Sequence, residues 1–228
     1  MGPIIYTENL NRQFKAGKEA IHALKDINIS IEPRTLTILR GRSGSGKTTL
    51  INTLGALDRP SSGKVYFNYL EISNLVEKKQ DELRKNSMGF VFQSFALISL
   101  MSAYENVEFP LRLLGIKPNE RKARAIECLS MVGLHKRMEH RPSELSGGEQ
   151  QRVAIARAII HRPKVIFADE PTAELDTHMA IQIMKVFREL VEKEGITVVM
   201  TTHDPNMMEL GDFVYTLEDG EVIDNYSV

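Results

Sequence analysis

The period of the apolar positions changes several times along the chain, and each change marks an element. Ile27, Ile29 and Ile31 alternate with Asn28 and Ser30, the period-two pattern of a half-buried strand. Glu32, Pro33 and Arg34 then read as a turn. Residues 36–39 are a continuous apolar run, which predicts a central strand feeding straight into a glycine-rich loop. A helix is predicted over 47–57, with Gly55 its one breaker, followed by a loop over 58–63. Residues 65–70 and 88–92 read as strands, with an exposed, charged helix over 77–86 between them. From 102 to around 160 the pattern is helical, with breaks at Pro110, at 115–118, at Gly133 and at Pro142, so 94–145 reads as a helical insertion. Alternation resumes with a strand at 165–168, a helix over 177–194 and a strand at 196–201. Residues 213–217 and 221–223 flank Glu218-Asp219-Gly220, a hairpin signal. Strands alternating with helices predict an α/β core with parallel strands.

Composition narrows this picture without redirecting it. A chain of 228 residues holds one sizeable domain or a core with a subdomain. Its hydrophobic content of 42% and charged content of 26% are ordinary for a globular protein. A net charge of −1 supplies no global attraction to nucleic acid or acidic lipid. No apolar run approaches the ~18 residues of a membrane span. The first residues lack the basic-then-apolar order of a secretion signal, and Tyr6 stands where a myristoylation site needs Ser or Thr. Cys128 is the single cysteine, so no internal disulfide exists, which fits a reducing compartment. It reads as a small buried apolar residue.

Chemistry enters at the loop after the first apolar strand. Gly41-Arg42-Ser43-Gly44-Ser45-Gly46-Lys47-Thr48 matches the phosphate-loop pattern G-x-x-x-x-G-K-S/T between a strand and a helix. Glycines let successive N–H groups turn inward toward phosphate oxygens, and the helix adds its positive N-terminal end. Lys47 is placed to reach the β- and γ-phosphates and Thr48 to hold Mg²⁺, with Thr49 following in the first helical turn. The strand at 165–168 ends in Asp169 and Glu170. In phosphate-loop enzymes such an Asp supports Mg²⁺, and the adjacent Glu can orient or deprotonate the attacking water. Ser146-Gly147-Gly148-Glu149 fits a capping box, with Ser at the N-cap and Glu at N3. It also fits a helix start that leaves small backbone donors exposed to an anion, anchored by the apolar stretch 153–160. Gln93 and His203 each follow a predicted strand. Alone, Gln93 is a surface amide and His203 a structural residue; at the C-terminal ends of parallel strands they fall where nucleotide sites collect their residues. Phe14 reads equally as a core residue or as a stacking face for a base. His22, His135, His140, His161 and His178 show no metal-like spacing and read as structural or surface residues.

Taken in order, these motifs resemble the ATP-binding subunit of ATP-binding-cassette (ABC) transporters, over nearly the whole chain. The matching elements are the Walker A loop from Gly41 to Thr48, Gln93 of the Q-loop, the signature Leu-Ser-Gly-Gly-Glu-Gln at 145–150, the Walker B strand ending at Asp169 with Glu170, Asp176 of the D-loop and the switch His203. The stretches 21–25, 54–60, 104–111 and 168–173 are similar to the lipoprotein-release and macrolide-export branch. The resemblance implies a phosphate-loop NTPase (RecA-like) α/β core with an N-terminal antiparallel β subdomain and an inserted α-helical subdomain. It implies a single domain over 1–228, with the core at 1–93 and 146–228 and the insert at 94–145. It further implies ATP and Mg²⁺ as cofactors, with Thr48, Gln93 and Asp169 at the metal. Glu170, His203 and Gln93 act in hydrolysis, and Phe14 stacks on adenine where the family more often has Tyr. Gly41, Ser43, Gly44, Ser45, Gly46, Lys47, Thr48 and Thr49 hold the phosphates. Ser146, Gly147, Gly148 and Glu149, with Asp176, serve the nucleotide of a second copy in a head-to-tail homodimer. The stretch from Phe95 to Tyr104 receives a helix from an integral membrane permease subunit, which places the chain on the inner face of the cell membrane. No nucleic-acid partner is expected.

Two positions depart from the family. Residues 32–35 replace a glycine-containing turn, and Glu174 stands where a small or amide residue is commoner. Every residue that hydrolysis requires is present. The leading reading is the ATPase of a transporter that exports or extracts a peptide, lipid-linked or drug-like substrate. The alternatives are the ATPase of a membrane mechanotransmission or sensing complex and, less favoured, an ABC ATPase acting on DNA or ribosomes. DNA-repair types carry long coiled coils and translation factors join two cassettes, neither of which this sequence has.

Overall fold

The computed structural model describes residues 2–17 and 19–228. β1 (Ile5–Ala16) and β2 (Glu19–Ile27) form a hairpin, and β3 (Ser30–Ile31) pairs with β1. β4 (Leu36–Arg40) leads through the glycine-rich loop into α1 (Lys47–Leu54). β5 (Ser62–Phe67) and β6 (Leu70–Glu71) return to β1, and α2 (Glu77–Ser87) leads to β7 (Met88–Val91). α3 (Ala103–Leu113), α4 (Pro118–Met131) and α5 (Gly147–Ile159) pack on one another. β8 (Val165–Ala168), α6 (Thr177–Glu194), β9 (Thr197–Thr202) and the short α7 (Pro205–Met208) follow, and the chain closes with the hairpin β10 (Phe213–Glu218) and β11 (Glu221–Ser227).

The strands divide into an antiparallel sheet of β2, β1, β5 and β6, with β3 on β1, and a six-stranded sheet in the order β11-β10-β4-β9-β8-β7. In the larger sheet β10, β4, β9, β8 and β7 are parallel, and β11 closes one edge antiparallel. Parallel strands are covered on both faces, so they read as unbroken apolar runs. Accordingly all of β8 and β9 and the first four residues of β4 are buried. Successive residues point to opposite faces. Ile38, Ile166, Val198 and Met200 join the core beneath α3, α4, α5 and α6. Leu39, Val165, Phe167 and Val199 join the core shared with α1 and the antiparallel sheet. β4, β7, β8 and β9 therefore end on one edge of the sheet, where the loops carrying Lys47, Gln93, Asp169 and His203 begin.

Three expected elements take a different form. The helix expected over 47–57 stops at Leu54, because Gly55 caps it and Ala56 turns left-handed at φ 54°. The strand expected over 65–70 is two strands, since Asn68 and Tyr69 at φ 47° and 64° reverse the chain as a two-residue hairpin turn. Pro110 does not break α3. A Ser102–Glu105 capping box fixes the start of that helix, and buried Val107 and Leu111 hold the turns around the proline. The carboxylate of Glu108, itself buried, pairs with Arg112 and Arg121 over the same stretch. Those contacts offset the missing N–H of the proline. Cys128 is fully buried on α4, and burial pushes its thiol up to about 12.

Candidate active site

The loop between β4 and α1 is shaped by close approaches. Gly46 has φ 100°, and a Cβ there would lie 2.4 Å from the carbonyl oxygen of Ala23 on β2, so glycine alone lets the loop touch the hairpin. Gly46 gives α1 no side-chain cap, and no acidic residue occupies its first turn. The first N–H groups of α1 and its positive end thus receive nothing from the chain at the cap, the condition that favours an anion. Lys47 is buried, and its Nζ donates to the carbonyls of Gly41 at 2.8 Å and Arg42 at 3.0 Å.

At the end of β8, Asp169 Oδ1 accepts from Thr48 Oγ1 at 3.1 Å and from Thr201 Oγ1 at 2.7 Å. The same Thr201 hydroxyl accepts the N–H of Glu170 at 2.8 Å. Glu170 turns left-handed at φ 45°, a conformation costing a non-glycine residue about 1–3 kcal/mol. That turn puts its carboxylate between two cationic or ionisable groups. Oε1 lies 3.7 Å from Lys47 Nζ, and Oε2 lies 3.0 Å from His203 Nδ1. Thr201 has no place in the motif reading. Its signal is a hydroxyl inside a fully buried strand, where a polar group must find partners.

Lys47, Thr48, Glu170 and His203 line an open cleft of about 690 Å³, within the ~300–1,000 Å³ usual for small-molecule sites, and Asp169 and Thr201 stand behind its wall. The cleft is bounded by Arg42, Ser43, Gly44, Gly46, Lys47, Thr48 and Thr49 on the loop side, by Gln93, Glu170 and His203 at the strand ends, and by Ile21, His22 and Ala23 of β2. His22, read from sequence as structural or surface, is thus a wall of the cleft. Ser45 is buried behind the loop. Phe14 is 39% exposed, which rules out a core role. It faces Ile21 across the β1–β2 pair, and the Arg12 guanidinium stands 4.3 Å from its ring centroid.

The start of α5 is built differently. Ser146 Oγ accepts the N–H of Glu149 at 3.3 Å, and Glu149 Oε2 accepts the N–H of Ser146 at 2.9 Å, a complete capping box. The Ser146 backbone, joined by Arg137 at 3.3 Å, holds the Glu149 carboxyl below its ordinary range. Ser146 is exposed, Gly147 half-buried and Gly148 buried, so the expectation of two exposed glycine donors fails at Gly148. A Cβ on Gly148 would sit 3.0 Å from Met179 Sδ, so this glycine lets α5 and α6 pack closely. Asp176 caps α6, accepting the N–H of Met179 at 2.9 Å. None of Ser146, Gly147, Gly148, Glu149 or Asp176 lines the cleft at Lys47.

Between these two regions lies the turn after β7. Gln93 Nε2 reaches Glu174 Oε1 at 3.4 Å. Phe95 and Ala96 are left-handed at φ 58° and 49°, and Arg157 of α5 donates to both of their carbonyls, at 2.9 and 2.5 Å. Arg157 was not apparent from the motifs.

Comparison with known proteins places this arrangement. A family model described as ABC transporter matches residues 24–173. The ABC transporter ATP-binding protein MJ0796 of Methanocaldococcus jannaschii is 43% identical over 223 residues, covering 96% of this chain and 95% of that protein. The macrolide export ATP-binding/permease protein MacB of Hahella chejuensis is 44% identical over 221 residues, covering 97% of this chain and 34% of MacB. Among solved structures, the dimeric post-hydrolysis state of the ATP-binding cassette MJ0796 bound to ADP and Pi has a TM-score of 0.91 at 41% identity, covering 98% of each chain. Matched in sequence and in fold from end to end of a cassette, the chain belongs to the ABC transporter family, among its ATP-hydrolysing cassettes.

Proposed function

We propose that this chain is the ATPase subunit of a membrane transporter, binding MgATP at Lys47 and lending its Ser146 helix start to the nucleotide of a second copy arranged head-to-tail. The observation that carries the reading is the division of the motifs. Lys47, Thr48, Glu170 and His203 share one cleft with Gln93, while Ser146, Gly147 and Glu149 stand outside it with their cap complete. A helix start with an exposed serine serves a phosphate best when another molecule presents it.

Glu170, held between Lys47 and His203, is positioned to take a proton from the attacking water. Lys47 and the open start of α1 stabilise the phosphate charge. Thr48 Oγ1 and Asp169 Oδ1 are hard oxygen donors 3.1 Å apart, a partial set of the kind Mg²⁺ completes with water and substrate phosphates. Those two residues and Gln93 would hold that ion, which would neutralise charge on the phosphates. Phe14 offers its exposed ring to the base.

No described helix is long and apolar enough to cross a membrane, and MacB joins an ATP-binding part to a permease in one chain. By analogy with that pairing, we assign the membrane-crossing role to integral membrane permease subunits. Their contact is the stretch from Phe95 to Tyr104, where Leu100 is 81% exposed. The chain then lies on the inner face of the cell membrane. The proposed cargo is a peptide, lipid-linked or drug-like molecule to be exported or extracted.

A mixing experiment tests the shared site. Glu170→Gln keeps Ser146 but lacks the base, and Ser146→Arg keeps the base but lacks the cap. Each variant alone should be inactive. Their mixture forms one site with both parts, and ATP turnover should return. A mixture as inactive as its components would overturn the head-to-tail assignment.

A further inference from the structure

The aromatic ring beside the cleft is tied to the same helix that begins at the phosphate loop. β1 is irregular on both sides of Arg12, where its register against β2 shifts. Such a bulge re-aims a side chain. Here Arg12 is directed onto Asp58, with Nε 2.7 Å from Oδ2 and Nη2 2.8 Å from Oδ1. The two bonds are parallel, and the side chains of Arg12 and Asp58 are only 22% and 27% exposed. A two-point clamp of this kind fixes the plane of the guanidinium as well as its position. The remaining nitrogen, Nη1, donates to the Gln13 carbonyl at 3.3 Å.

Asp58 is itself anchored. Its N–H and that of Leu57 both donate to the Asn52 carbonyl of α1, at 3.2 and 2.8 Å. Its Oδ1 also accepts the N–H of Arg59 at 2.8 Å. The clamped guanidinium then stands 4.3 Å from the Phe14 ring centroid. α1 therefore supports both ends of one site. Its first residue, Lys47, faces the phosphate position, and the loop closing its last turn holds Arg12 and, through it, Phe14.

We propose that Arg12, clamped by Asp58, is a positioning residue for recognition of the purine base. It backs one face of Phe14 and fixes the ring at a set distance from the phosphate loop, so that the base stacks on the opposite face. The resulting order is guanidinium, phenyl ring, purine. The guanidinium replaces the solvent that would otherwise leave the ring free to rotate, and its charge sits over the ring's negative face. The proposal rests on the assignment of Phe14 as the base-stacking residue.

Inorganic tripolyphosphate, which has the phosphates and no base, separates the possibilities. Binding of ATP and of tripolyphosphate to the full chain is measured by calorimetry, alongside ATPase kinetics. Arg12→Leu and Asp58→Ala should each weaken ATP by about tenfold and leave tripolyphosphate unchanged. KM for ATP should rise with kcat retained. Arg12→Lys keeps the charge without the two-point clamp and should recover only part of the loss. Adding Arg12→Leu to Phe14→Ala should cost nothing further. If Arg12→Leu weakens both ligands equally, the clamp supports α1 and not the ring, and the proposal fails. If Phe14→Ala weakens ATP while Arg12→Leu does not, the proposal fails and the stacking assignment stands. If Phe14→Ala leaves ATP binding intact, the stacking assignment itself falls, and this proposal with it.

Discussion

At the start of α1 the backbone donors have no cap and no acidic neighbour in the first turn, whereas at the start of α5 Ser146 and Glu149 bond reciprocally and Glu149 pairs with Arg137. α1 begins after a glycine and α5 begins with two, and both fit a phosphate-binding description. Their readiness differs. α1 offers an anion free donors and a buried ammonium beside them. α5 has already used the N–H of Ser146 and that of Glu149, and it carries a carboxylate whose pKa is lowered by that backbone bond. What remain are the N–H groups of Gly147 and Gly148 and the Ser146 hydroxyl proton, since an oxygen that accepts in a cap can still donate. The difference teaches that one helix start stands open to an anion while the other has already committed two of its backbone donors to its own cap.

The comparison is attacked most directly at the first site. Glu170→Gln removes the carboxylate held against His203 and should lower phosphate release by about 10²–10⁴-fold, with ATP binding retained in a nucleotide titration. The same variant should accumulate an ATP-dependent dimer on size-exclusion chromatography. Turnover at the wild-type rate would remove Glu170 from catalysis.

Ser146→Arg attacks the second site. It should abolish turnover while the affinity of the isolated chain for ATP stays unchanged. Loss of binding to the monomer would mean that α5 serves its own cleft and that the contrast is false.

Thr201→Val probes the support beneath the first site. It removes a donor to Asp169 and the acceptor for the Glu170 N–H, leaving a part-buried N–H unpaired at a cost of about 1–3 kcal/mol. Thermal unfolding should shift down, and more Mg²⁺ should be needed for half-maximal turnover. An unchanged Mg²⁺ requirement would detach Thr201 from the site.

The smallest effect lies at the far end of α5. His161 sits just past this helix against the Met88 carbonyl at 2.9 Å, and burial lowers its pKa. A histidine kept neutral by folding binds its proton more readily when unfolded. Its contribution is therefore full above the unfolded pKa of about 6.5 and declines as pH falls toward the folded value, by at most ~1.4 kcal/mol per pH unit. His161→Gln should flatten chemical denaturation midpoints over that acid range. An identical pH slope would show that His161 titrates alike in both states.

The parallel strands were legible because burial on both faces leaves an unbroken apolar signature in 36–39 and 165–168. The limits of α6 were legible at both ends, since Asp176 caps its start and Gly195 at φ 65° ends it. The two-strand turn at Asn68 and Tyr69 was not, because tyrosine is no turn signal and the apolar pattern runs on to Leu70. Pro110 misled for the opposite reason: a local rule was overridden by burial of the same helix. In the site, residues that bond within a motif could be read directly. Thr201, Arg157 and His22 could not, since each acts on a partner brought close only when separate strands and helices assemble.

The full burial of Cys128 has a practical consequence. It is the only cysteine in the chain, and a thiol pushed up to about 12 presents almost no thiolate near neutral pH. Thiol-directed spin labels or fluorophores should therefore ignore the unaltered protein. A cysteine placed at an exposed position, such as Ser143 near the start of α5, would be the one reactive handle per copy. Distances between two such handles could then be followed through ATP binding and release in the wild-type background.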